Sequence, residues 1–308
     1  MSSARRLAGF SFWSLLTVLG SSAQTVRPTM LLLDGALTGS SVVAVGERGT
    51  VLISGDGGTS WRQAATPTRA TLTGVSFPAV QLPRRGWAVG HEAEILTSVD
   101  RGVTWTRQFQ GKNRTDSFLD VLALDERTAI AVGAYGLFAS TDDGGNSWSV
   151  RRIRDEDSHL NRISLGPTGK LYIAGEAGTL LRSNDRGLKW REIRTSYQGS
   201  FFGILPLAER SLLAYGLRGH VFRSEDDGAT WRELESPAPA LLATAVRLPG
   251  RGILLAGQAR ILLRGADDSP SLQPIATAPS TAIAELVDLG GGRFVALGEA
   301  GATSLTLP

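Results

Sequence analysis

Short apolar runs alternate with polar turns along almost the whole chain. Typical runs cover residues 119–124, 129–132, 137–139 and 148–153, and glycine, aspartate, serine and threonine are frequent between them. Runs of this length, separated by turn residues, predict β-strands. No segment has apolar positions at helical spacing over a useful length, so the pattern predicts an all-β chain.

A sixteen-residue segment recurs along the chain at nearly constant spacing. Its first copy runs from Gly46 to Trp61, and four more copies of the same length follow it. The leading glycines are 44, 43, 42, 41, 41 and 41 residues apart. They are Gly46, Gly90, Gly133, Gly175, Gly216, Gly257 and Gly298. The sixth unit keeps Asp267 but has Leu272 in place of the tryptophan. The count predicts seven homologous units.

Each unit contains four predicted strands within little more than 40 residues. A small sheet of this kind cannot bury both of its faces alone and must stack on its neighbours, which predicts a seven-bladed β-propeller of four-stranded blades. The last unit has only three predicted strands, at 283–289, 293–297 and 302–307. We expect the residues around 24–29 to supply its fourth strand and so to close the ring.

Five units contain versions of the motif Ser-x-Asp-x-Gly-x-Thr-Trp, the Asp box, which is clearest at residues 98–105. We expect its aspartate to accept backbone N–H groups in the turn between the third and fourth strands. The glycine permits a positive φ there, and the tryptophan packs between blades. We therefore predict structural roles, and neither catalysis nor metal binding, for Asp56, Trp61, Asp100, Trp105, Asp143, Trp148, Asp185, Trp190, Asp226 and Trp231.

The first 23 residues differ from the repeats. Arg5 and Arg6 precede an apolar stretch over 7–19 that is too short to span a bilayer, and small residues follow up to Ala23. This order is typical of a secretory signal peptide, and we expect cleavage after Ala23, with an uncleaved anchor as the alternative. The sequence thus predicts a periplasmic protein whose propeller covers residues 24–308.

The remaining composition excludes several classes of function. Without the leader the formal net charge falls from +3 to +1, which does not indicate a nucleic-acid partner. The chain has no cysteine, so disulfides, thiolate nucleophiles and cysteine zinc sites are excluded. His91, His159 and His220 fall in different units without metal-ligand or triad spacing. We expect no metal and no cofactor.

The segment Gly86-Trp87-Ala88-Val89-Gly90, followed by an Asp box, resembles the repeats of the Ycf48 family of photosynthesis system II assembly factors. The resemblance extends over essentially the whole chain after the leader. It implies an exported, non-catalytic propeller that binds subunits of a membrane protein complex, and we expect a monomer. Similar proteins of non-photosynthetic bacteria are often associated with transporters of the resistance-nodulation-division type, and the sequence does not choose between the two settings.

Propeller geometry assigns the loops to two faces. The Asp boxes share one face with the loops that join the first and second strands of each blade. The other face, which carries the turns between second and third strands and the inter-blade loops, is where we expect the partner to bind. The candidate residues there are Glu47, Arg48, His91, Glu92, Arg114, Tyr135, Asp157, His159, Glu176, Tyr197 and Arg218. The alternative is that they are ordinary solvated turn residues.

A second basic cluster is predicted on the outer strands. Its members are Arg151, Arg152, Arg154, Arg191, Arg194 and Arg232. The resemblance implies a basic patch that pairs with acidic loops of a membrane partner. The alternative is that these charges only prevent edge strands from aggregating.

A glycan-binding or sialidase-like propeller is the alternative from another functional class. Sialidases need an arginine triad, a tyrosine nucleophile with its glutamate, and an acid carboxylate, and they have six blades. The four tyrosines of this chain do not fit that pattern. A glycosidase that uses Asp116 and Asp157, on neighbouring inter-blade loops, is a further possibility. We expect no catalytic residue.

Overall fold

A computed structural model of the chain describes residues 25–26, 28–154, 158–248, 250, 252–266, 269–276 and 280–307. The leader predicted over 1–23, together with Asp157 and Asp267, lies outside the described residues. No helix in the described part of the chain is long and apolar enough to cross a membrane.

The described residues form β-strands and three short 3-10 turns, and the strands are all antiparallel to their neighbours. The turns are Glu47–Gly49, Ala134–Gly136 and Leu217–Gly219. The strands are β1 (Thr25–Val26), β2 (Leu32–Thr38), β3 (Ser41–Gly46), β4 (Val51–Ser54), β5 (Trp61–Gln63), β6 (Leu72–Ser76), β7 (Gly86–Gly90), β8 (Glu94–Ser98), β9 (Thr106–Gln110), β10 (Phe118–Ala123), β11 (Ala129–Gly133), β12 (Leu137–Thr141), β13 (Ser149–Arg152), β14 (Leu160–Leu165), β15 (Leu171–Gly175), β16 (Leu180–Ser183), β17 (Arg191–Glu192), β18 (Phe201–Pro206), β19 (Leu212–Gly216), β20 (Val221–Ser224), β21 (Arg232–Glu233), β22 (Leu242–Leu248), β23 (Gly252–Gly257), β24 (Leu262–Gly265), β25 (Gln273–Pro274), β26 (Ile283–Gly290), β27 (Arg293–Gly298) and β28 (Gly301–Thr306).

The strands group into seven sheets, which confirms the predicted seven-bladed all-β propeller. Blades 2 to 6 each contain four strands in sequence order, from β6–β9 to β22–β25. Blade 1 consists of β2–β5 with β1 added at its outer edge, and blade 7 has three described strands, β26–β28. The strand order within each blade is that of a meander, so each first strand lies innermost and each fourth strand lies outermost.

Burial changes systematically from the second to the fourth strand of a blade. The second strands are buried along almost their whole length, as the Gly86–Gly90 strand β7 shows, because both of their faces are covered by neighbouring blades. This explains why they are continuous apolar runs. The fourth strands β13, β17 and β21 are exposed and carry four arginines of the second basic cluster, Arg151, Arg152, Arg191 and Arg232, whereas Arg154 and Arg194 follow β13 and β17.

Apolar side chains fill each of the seven interfaces between adjacent blades. The Asp-box tryptophan of one blade packs against the preceding blade, so that Trp105 of blade 2 lies among Val43, Ile53 and other residues of blade 1. Leu272 takes this place between blades 5 and 6, and it is 2% exposed. The core is therefore a ring of interfaces, as expected for stacked sheets.

The expected closure of the ring by the N-terminal segment is wrong. Strand β1 pairs with β5 of blade 1, with Val26 opposite Trp61, and adds no strand to blade 7. Blades 7 and 1 are joined by apolar packing, in which Leu32 and Leu52 contact the cluster that contains Val295. The pairing was predicted from strand count alone, which cannot show that the free edge of β5 is also available to a short strand.

The Asp boxes form the predicted turn structure between third and fourth strands. The Asp100 carboxylate accepts hydrogen bonds from the Ser98 hydroxyl at 2.8 Å and from the Thr104 amide and hydroxyl at 2.9 and 2.6 Å. Gly102 has φ +87°, and its carbonyl accepts the Trp105 indole N–H at 2.9 Å. The backbone amide contact recurs at Asp56, Asp143, Asp185 and Asp226, and the hydroxyl contact from the Thr104 position recurs in all of these except Asp185, where Lys189 replaces the serine or threonine.

These hydrogen bonds stabilise the ionised form of the aspartates. Donors from Ser60, Ser147 and Thr230 lower the pKa of Asp56, Asp143 and Asp226, respectively, to about 2. Each carboxylate accepts hydrogen bonds from residues of its own turn. The geometry therefore gives them a local role in the turn and leaves no shared site among them.

Replacement of Asp100 by alanine is expected to lower the free energy of unfolding by about 2 kcal/mol, because the Thr104 amide and two hydroxyl groups lose a charged acceptor. Urea denaturation at pH 7 measures this difference. Asp142→Ala is the matched control, since Asp142 is exposed and its carboxylate accepts no hydrogen bond from a described residue. It should change the stability by less than about 0.5 kcal/mol. Equal effects of the two substitutions would contradict the assigned role.

Candidate partner-binding site

The turns between second and third strands and the inter-blade loops lie together at one end of the propeller, which we call the loop face. Three candidate residues, Arg48, Tyr135 and Arg218, occupy corresponding turns with φ between 55° and 57°. Each is exposed, because the left-handed turn directs its side chain away from the sheet. Glu47 lies beside Arg48, and its carboxylate accepts the Leu31 amide at 3.3 Å.

The structure brings Tyr135, His159 and Glu176 together on blades 3 and 4. The Tyr135 and His159 rings meet edge to face with centroids 4.8 Å apart, and the Tyr135 amide donates to His159 Nδ1 at 3.3 Å. The Glu176 carboxylate accepts the His159 amide at 3.2 Å. Arg152 joins this group, since it donates to the Tyr135 carbonyl at 2.5 Å and to the Asp116 carboxylate at 3.0 Å.

Tyr197 belongs to a second group, on blade 5. Its ring lies 4.8 Å from that of His220 and 5.2 Å from that of Phe222, and its hydroxyl donates to the Leu217 carbonyl at 3.3 Å. His220 in turn lies 2.5 Å from the Glu233 carboxylate. These contacts hold the inter-blade loop against the turn that carries Arg218, so this part of the loop face is ordered before any partner binds.

The remaining candidates lie apart from these groups. The amide of His91, in blade 2, donates to the Thr71 carbonyl at 3.0 Å, and its side chain is exposed. Arg114 and Glu92 form an exposed ion pair at 3.2 Å. Asp157 is outside the described residues, so the carboxylate pair of the glycosidase alternative has no measurable geometry.

Glu92 and Arg114 line a groove on blade 2, which we call the basic groove. It has a volume of about 570 Å³, and its residues are Thr66, Pro67, Thr68, Arg69, Ala70, Glu92, Arg107, Gln110 and Arg114. Arg107 forms an ion pair with the buried Glu94 and donates to the Pro67 carbonyl at 2.9 Å. Arg69 is exposed and forms no ion pair with any described residue. The groove therefore has an excess of positive charge.

A second groove occupies the corresponding place on blade 6, and we call it the apolar groove. It has a volume of about 430 Å³ and is lined by Pro237, Ala238, Pro239, Ala240, Ala259, Arg260, Ile261, Leu262, Leu263, Pro274 and Ile275. The loop that enters each blade, the turn between its second and third strands, and its fourth strand contribute to both grooves. The two sites thus share a geometry and differ in chemistry.

The sequence contains a signal for these two grooves that the repeat analysis missed. Five units begin with Gly-x-x-Gly, whereas unit 2 has Ala93 and unit 6 has Arg260 at the second glycine position. In the five glycine units an added Cβ would overlap the backbone of the following inter-blade loop, as Gly219 would with Ala238. In blade 2 the Ala93 amide still donates to the Asp116 carbonyl of the following loop at 2.8 Å. The substitutions therefore mark the two blades that carry the grooves without separating turn and loop in blade 2.

The outer-strand arginines lie at the rim and are partly engaged. Arg151 lies over the Phe138 ring at 4.9 Å and donates to the Gly187 carbonyl at 3.0 Å. Arg154 and Glu192 are 4.0 Å apart. Because neighbours neutralise or anchor several of these side chains, the cluster is less positive than the sequence suggests.

The central axis of the propeller holds a charged cluster that the sequence analysis did not identify. Each innermost strand has a bulge near its start, and the residue after it faces the axis. Those residues are Asp34, Gly74, Asp120, Arg162, Gly203, Thr244 and Glu285. Arg162 of blade 4 donates to Glu285 of blade 7 at 2.6 Å. In the sequence, four innermost strands have a charged residue as their third residue, and this pattern could have indicated the cluster.

Hydrogen bonds from this cluster link neighbouring blades. Asp34 accepts the Val75 amide at 2.7 Å, and Asp120 accepts the Ile163 amide at 2.8 Å. Burial raises the pKa of Asp34 well above its ordinary value and that of Asp120 to about 6. Burial likewise raises the pKa of the Tyr215 hydroxyl, which fills the space beside Gly203, to about 12.

These features do not suit catalysis. A tyrosine nucleophile needs a lowered pKa and access to substrate, whereas Tyr215 is 2% exposed and its pKa is raised. No group of three or more His, Cys, Asp or Glu among the residues that the structure describes is arranged to hold a metal ion. The axial cluster is best explained as a bridge between blades.

Comparisons with known proteins agree with the fold and the repeats. The sequence profile of the family "Photosynthesis system II assembly factor YCF48" matches residues 108–247. The photosystem II stability/assembly factor HCF136 of Arabidopsis thaliana is 26% identical over 187 residues, which cover 58% of this chain and 44% of that protein. The photosystem II assembly lipoprotein Ycf48 of Synechococcus sp. (strain CC9902) is 30% identical over 147 residues, which cover 44% and 43%, respectively.

A solved structure of YCF48 bound to D1 peptide superposes with a TM-score of 0.75 at 18% identity and covers 92% of this chain and 96% of that chain. The chain thus resembles the Ycf48 family in sequence over residues 108–247 and has the fold of YCF48. The match to the curated relatives spans less than half of their length. The WD40 propeller domain of Doa1 also superposes, with a TM-score of 0.70 at 16% identity and coverage of 92% and 94%.

The close approach at Gly219 leads to a prediction about stability. Gly219→Ala should lower the free energy of unfolding by more than about 2 kcal/mol, because φ is +79° and the new Cβ overlaps the Ala238 carbonyl. Gly250→Ala is the control, since φ there is +63° but nothing lies within 4 Å. That variant should lose only about 1 kcal/mol. Urea denaturation of both variants compares the two costs, and equal losses would exclude the steric contribution.

The raised pKa of Asp120 predicts a pH dependence of folding. Between pH 4 and 6 the folded protein keeps a proton that the unfolded chain has released, so the stability falls as the pH rises through this range, by roughly 3 kcal/mol from this residue. Asp120→Asn should reduce the loss of stability between pH 4.5 and 7.5, measured by urea denaturation. Burial still raises the pKa of Asp34 in that variant, so part of the dependence persists.

Asp142→Asn provides the control for this pH series, because Asp142 is exposed on the Asp-box face. It should show the wild-type dependence on pH. If the free energy of unfolding of Asp120→Asn changed with pH as steeply as that of the wild type, the Asp120 carboxyl group would not be the source of the pH dependence.

Proposed function

We propose that this protein is a non-catalytic, exported propeller that binds an acidic segment of a membrane-protein subunit while the complex of that subunit is assembled. The names of its relatives support this proposal, since HCF136 and Ycf48 are described as stability or assembly factors of photosystem II. The structure of YCF48 with a D1 peptide gives the precedent of a polypeptide ligand on a propeller of this shape. These relatives favour a photosystem-type complex over a transporter.

The observation that carries the proposal is the basic groove on the loop face. Arg69, Arg107 and Arg114 border one groove, and only Arg107 has a buried partner. Guanidinium groups recognise carboxylates through paired hydrogen bonds. A groove of about 570 Å³ with these groups at its border suits an extended peptide with acidic side chains.

The rest of the loop face supports binding without large rearrangement. The Tyr135 and Tyr197 groups fix neighbouring loops through ring contacts and hydrogen bonds. Tyrosines on rigid loops supply contact area at a low entropic cost. We propose that these groups contact the partner next to the basic groove.

We also propose that the protein works as a monomer in the periplasm or an equivalent compartment. The leader-like sequence of residues 1–23 supports export, and the relatives are described as chloroplastic or, in one case, as a lipoprotein. Light scattering of the purified chain after residue 23 tests the monomer.

Peptide binding tests the proposed function directly. Fluorescein-labelled peptides that cover the exposed loops and termini of the photosystem II subunit D1 should bind according to their content of Asp and Glu, as measured by fluorescence anisotropy. The double variant Arg69→Ser, Arg114→Ser should weaken binding of the best peptide by about tenfold, and higher salt should weaken binding to the wild type.

The control removes the same charge from the opposite face. Arg84 and Arg101 are exposed near the blade 2 Asp box, so Arg84→Ser, Arg101→Ser changes the net charge equally and should leave the affinity within about twofold. Equal losses in both double variants would show that only net charge matters and would reject the basic groove as the site. Binding of a scrambled acidic peptide with the same affinity would argue against specificity for D1.

A further inference from the structure

We propose that the apolar groove on blade 6 is a second polypeptide site, which binds a segment with aliphatic side chains next to a single carboxylate. This inference extends the proposed binding of a membrane-protein subunit, but it depends on different residues from the basic groove. The two grooves lie at corresponding places on the same face, with volumes of about 570 and 430 Å³, and their side chains differ.

Backbone contacts hold the walls of the apolar groove in place without a ligand. The loop that enters blade 6 is held at Ala238 by its close approach to Gly219, and Gln258 donates its amide to the Leu241 carbonyl at 2.9 Å. On the other side, the Ile275 amide donates to the Leu262 carbonyl at 2.9 Å. Since these contacts use the backbone, the apolar side chains that face the groove need no rearrangement to accept a ligand.

The lining explains the preference for aliphatic groups. Pro237, Pro239 and Pro274 are exposed, and Ile261 and Ile275 are half-buried, so the groove presents apolar surface to solvent. Proline has little side-chain entropy to lose on binding. A volume of about 430 Å³ is within the range of ligand pockets and accommodates a few aliphatic side chains.

Arg260 supplies the charge that defines the rest of the ligand. It is the one ionisable residue among the described lining residues, it is exposed, and it forms no ion pair with another described residue. Its φ of +62° is a strained conformation for a residue with a side chain, and glycine occupies this place in five other blades. An apolar groove with one unpaired guanidinium at its rim is complementary to an apolar segment that carries one acidic group.

Two closely matched substitutions test the assignment. Pro237 and Pro67 occupy the same position in the loops that enter blades 6 and 2, and both are exposed groove residues. The probe is a fluorescein-labelled, amidated dodecapeptide with a leucine- and proline-rich core followed by one glutamate. Pro237→Glu should weaken its binding at least about tenfold, because a charge enters the apolar contact. Pro67→Glu should leave this affinity unchanged and should weaken binding of the acidic peptide to the basic groove.

Arg260→Gly tests the carboxylate. It should weaken binding of the glutamate peptide about fivefold and leave unchanged the binding of the same peptide with glutamine. Glycine suits the positive φ, so this variant should fold at least as well as the wild type. Arg101→Gly, at φ +64° on the opposite face, is the control and should bind both peptides like the wild type.

The outcomes separate this inference from the proposed function. Loss of acidic-peptide binding in Pro67→Glu with intact binding of the leucine peptide would support two independent sites. Failure of the leucine peptide to bind, or equal losses in Pro237→Glu and Pro67→Glu, would overturn the apolar site and leave the basic groove untouched. A dimer in light scattering that Pro237→Glu dissociates would identify a second copy of the chain as the occupant and would also overturn the proposal.

Discussion

The structure depends on the packing of apolar faces between neighbouring blades. A four-stranded sheet with apolar side chains on both sides is not stable alone, and here each sheet is covered twice, so the second strands are buried along almost their whole length. Blade 7 and blade 1 meet through the same kind of cluster, formed around Leu32, Trp61 and Val295. Strand β1 pairs with blade 1 and adds no strand to blade 7, although the Pro28 carbonyl accepts the Ala302 amide of β28 at 3.3 Å.

This arrangement separates the structural and the recognition roles of the repeat. The Asp boxes satisfy their own turns and place a tryptophan in the preceding interface, as Asp100 and Trp105 do between blades 1 and 2. The side chains that face the axis connect blades through Arg162, Glu285 and the aspartates. Both sets are held by contacts within the propeller, and the face that we propose for recognition is the opposite loop face, where each blade varies independently.

The turns of that face differ between blades at one backbone position. Where the turn has its second glycine, the inter-blade loop lies against it, and a Cβ at this position would overlap the loop backbone. Blades 2 and 6 have Ala93 and Arg260 instead, and each of these blades carries a groove, one basic and one apolar.

The sequence by itself determined the all-β class, the seven repeats and the turn chemistry of the Asp boxes. These follow from local pattern and spacing: the run 129–132 is apolar because it is a second strand, and Gly102 is required by its own turn. The described candidate residues lie at the end of the propeller to which the sequence assigned them, but the sequence did not show that Tyr135, His159 and Glu176 form one group.

Only the tertiary structure decided the pairing of β1, the axial cluster and the two grooves. Asp34, Asp120, Arg162 and Glu285 are separated by tens of residues and become neighbours because seven innermost strands converge on one axis. The grooves likewise arise from the distance between a turn and a loop about 20 residues away. Such distances are set by how the blades pack, and a pattern along the chain does not contain them.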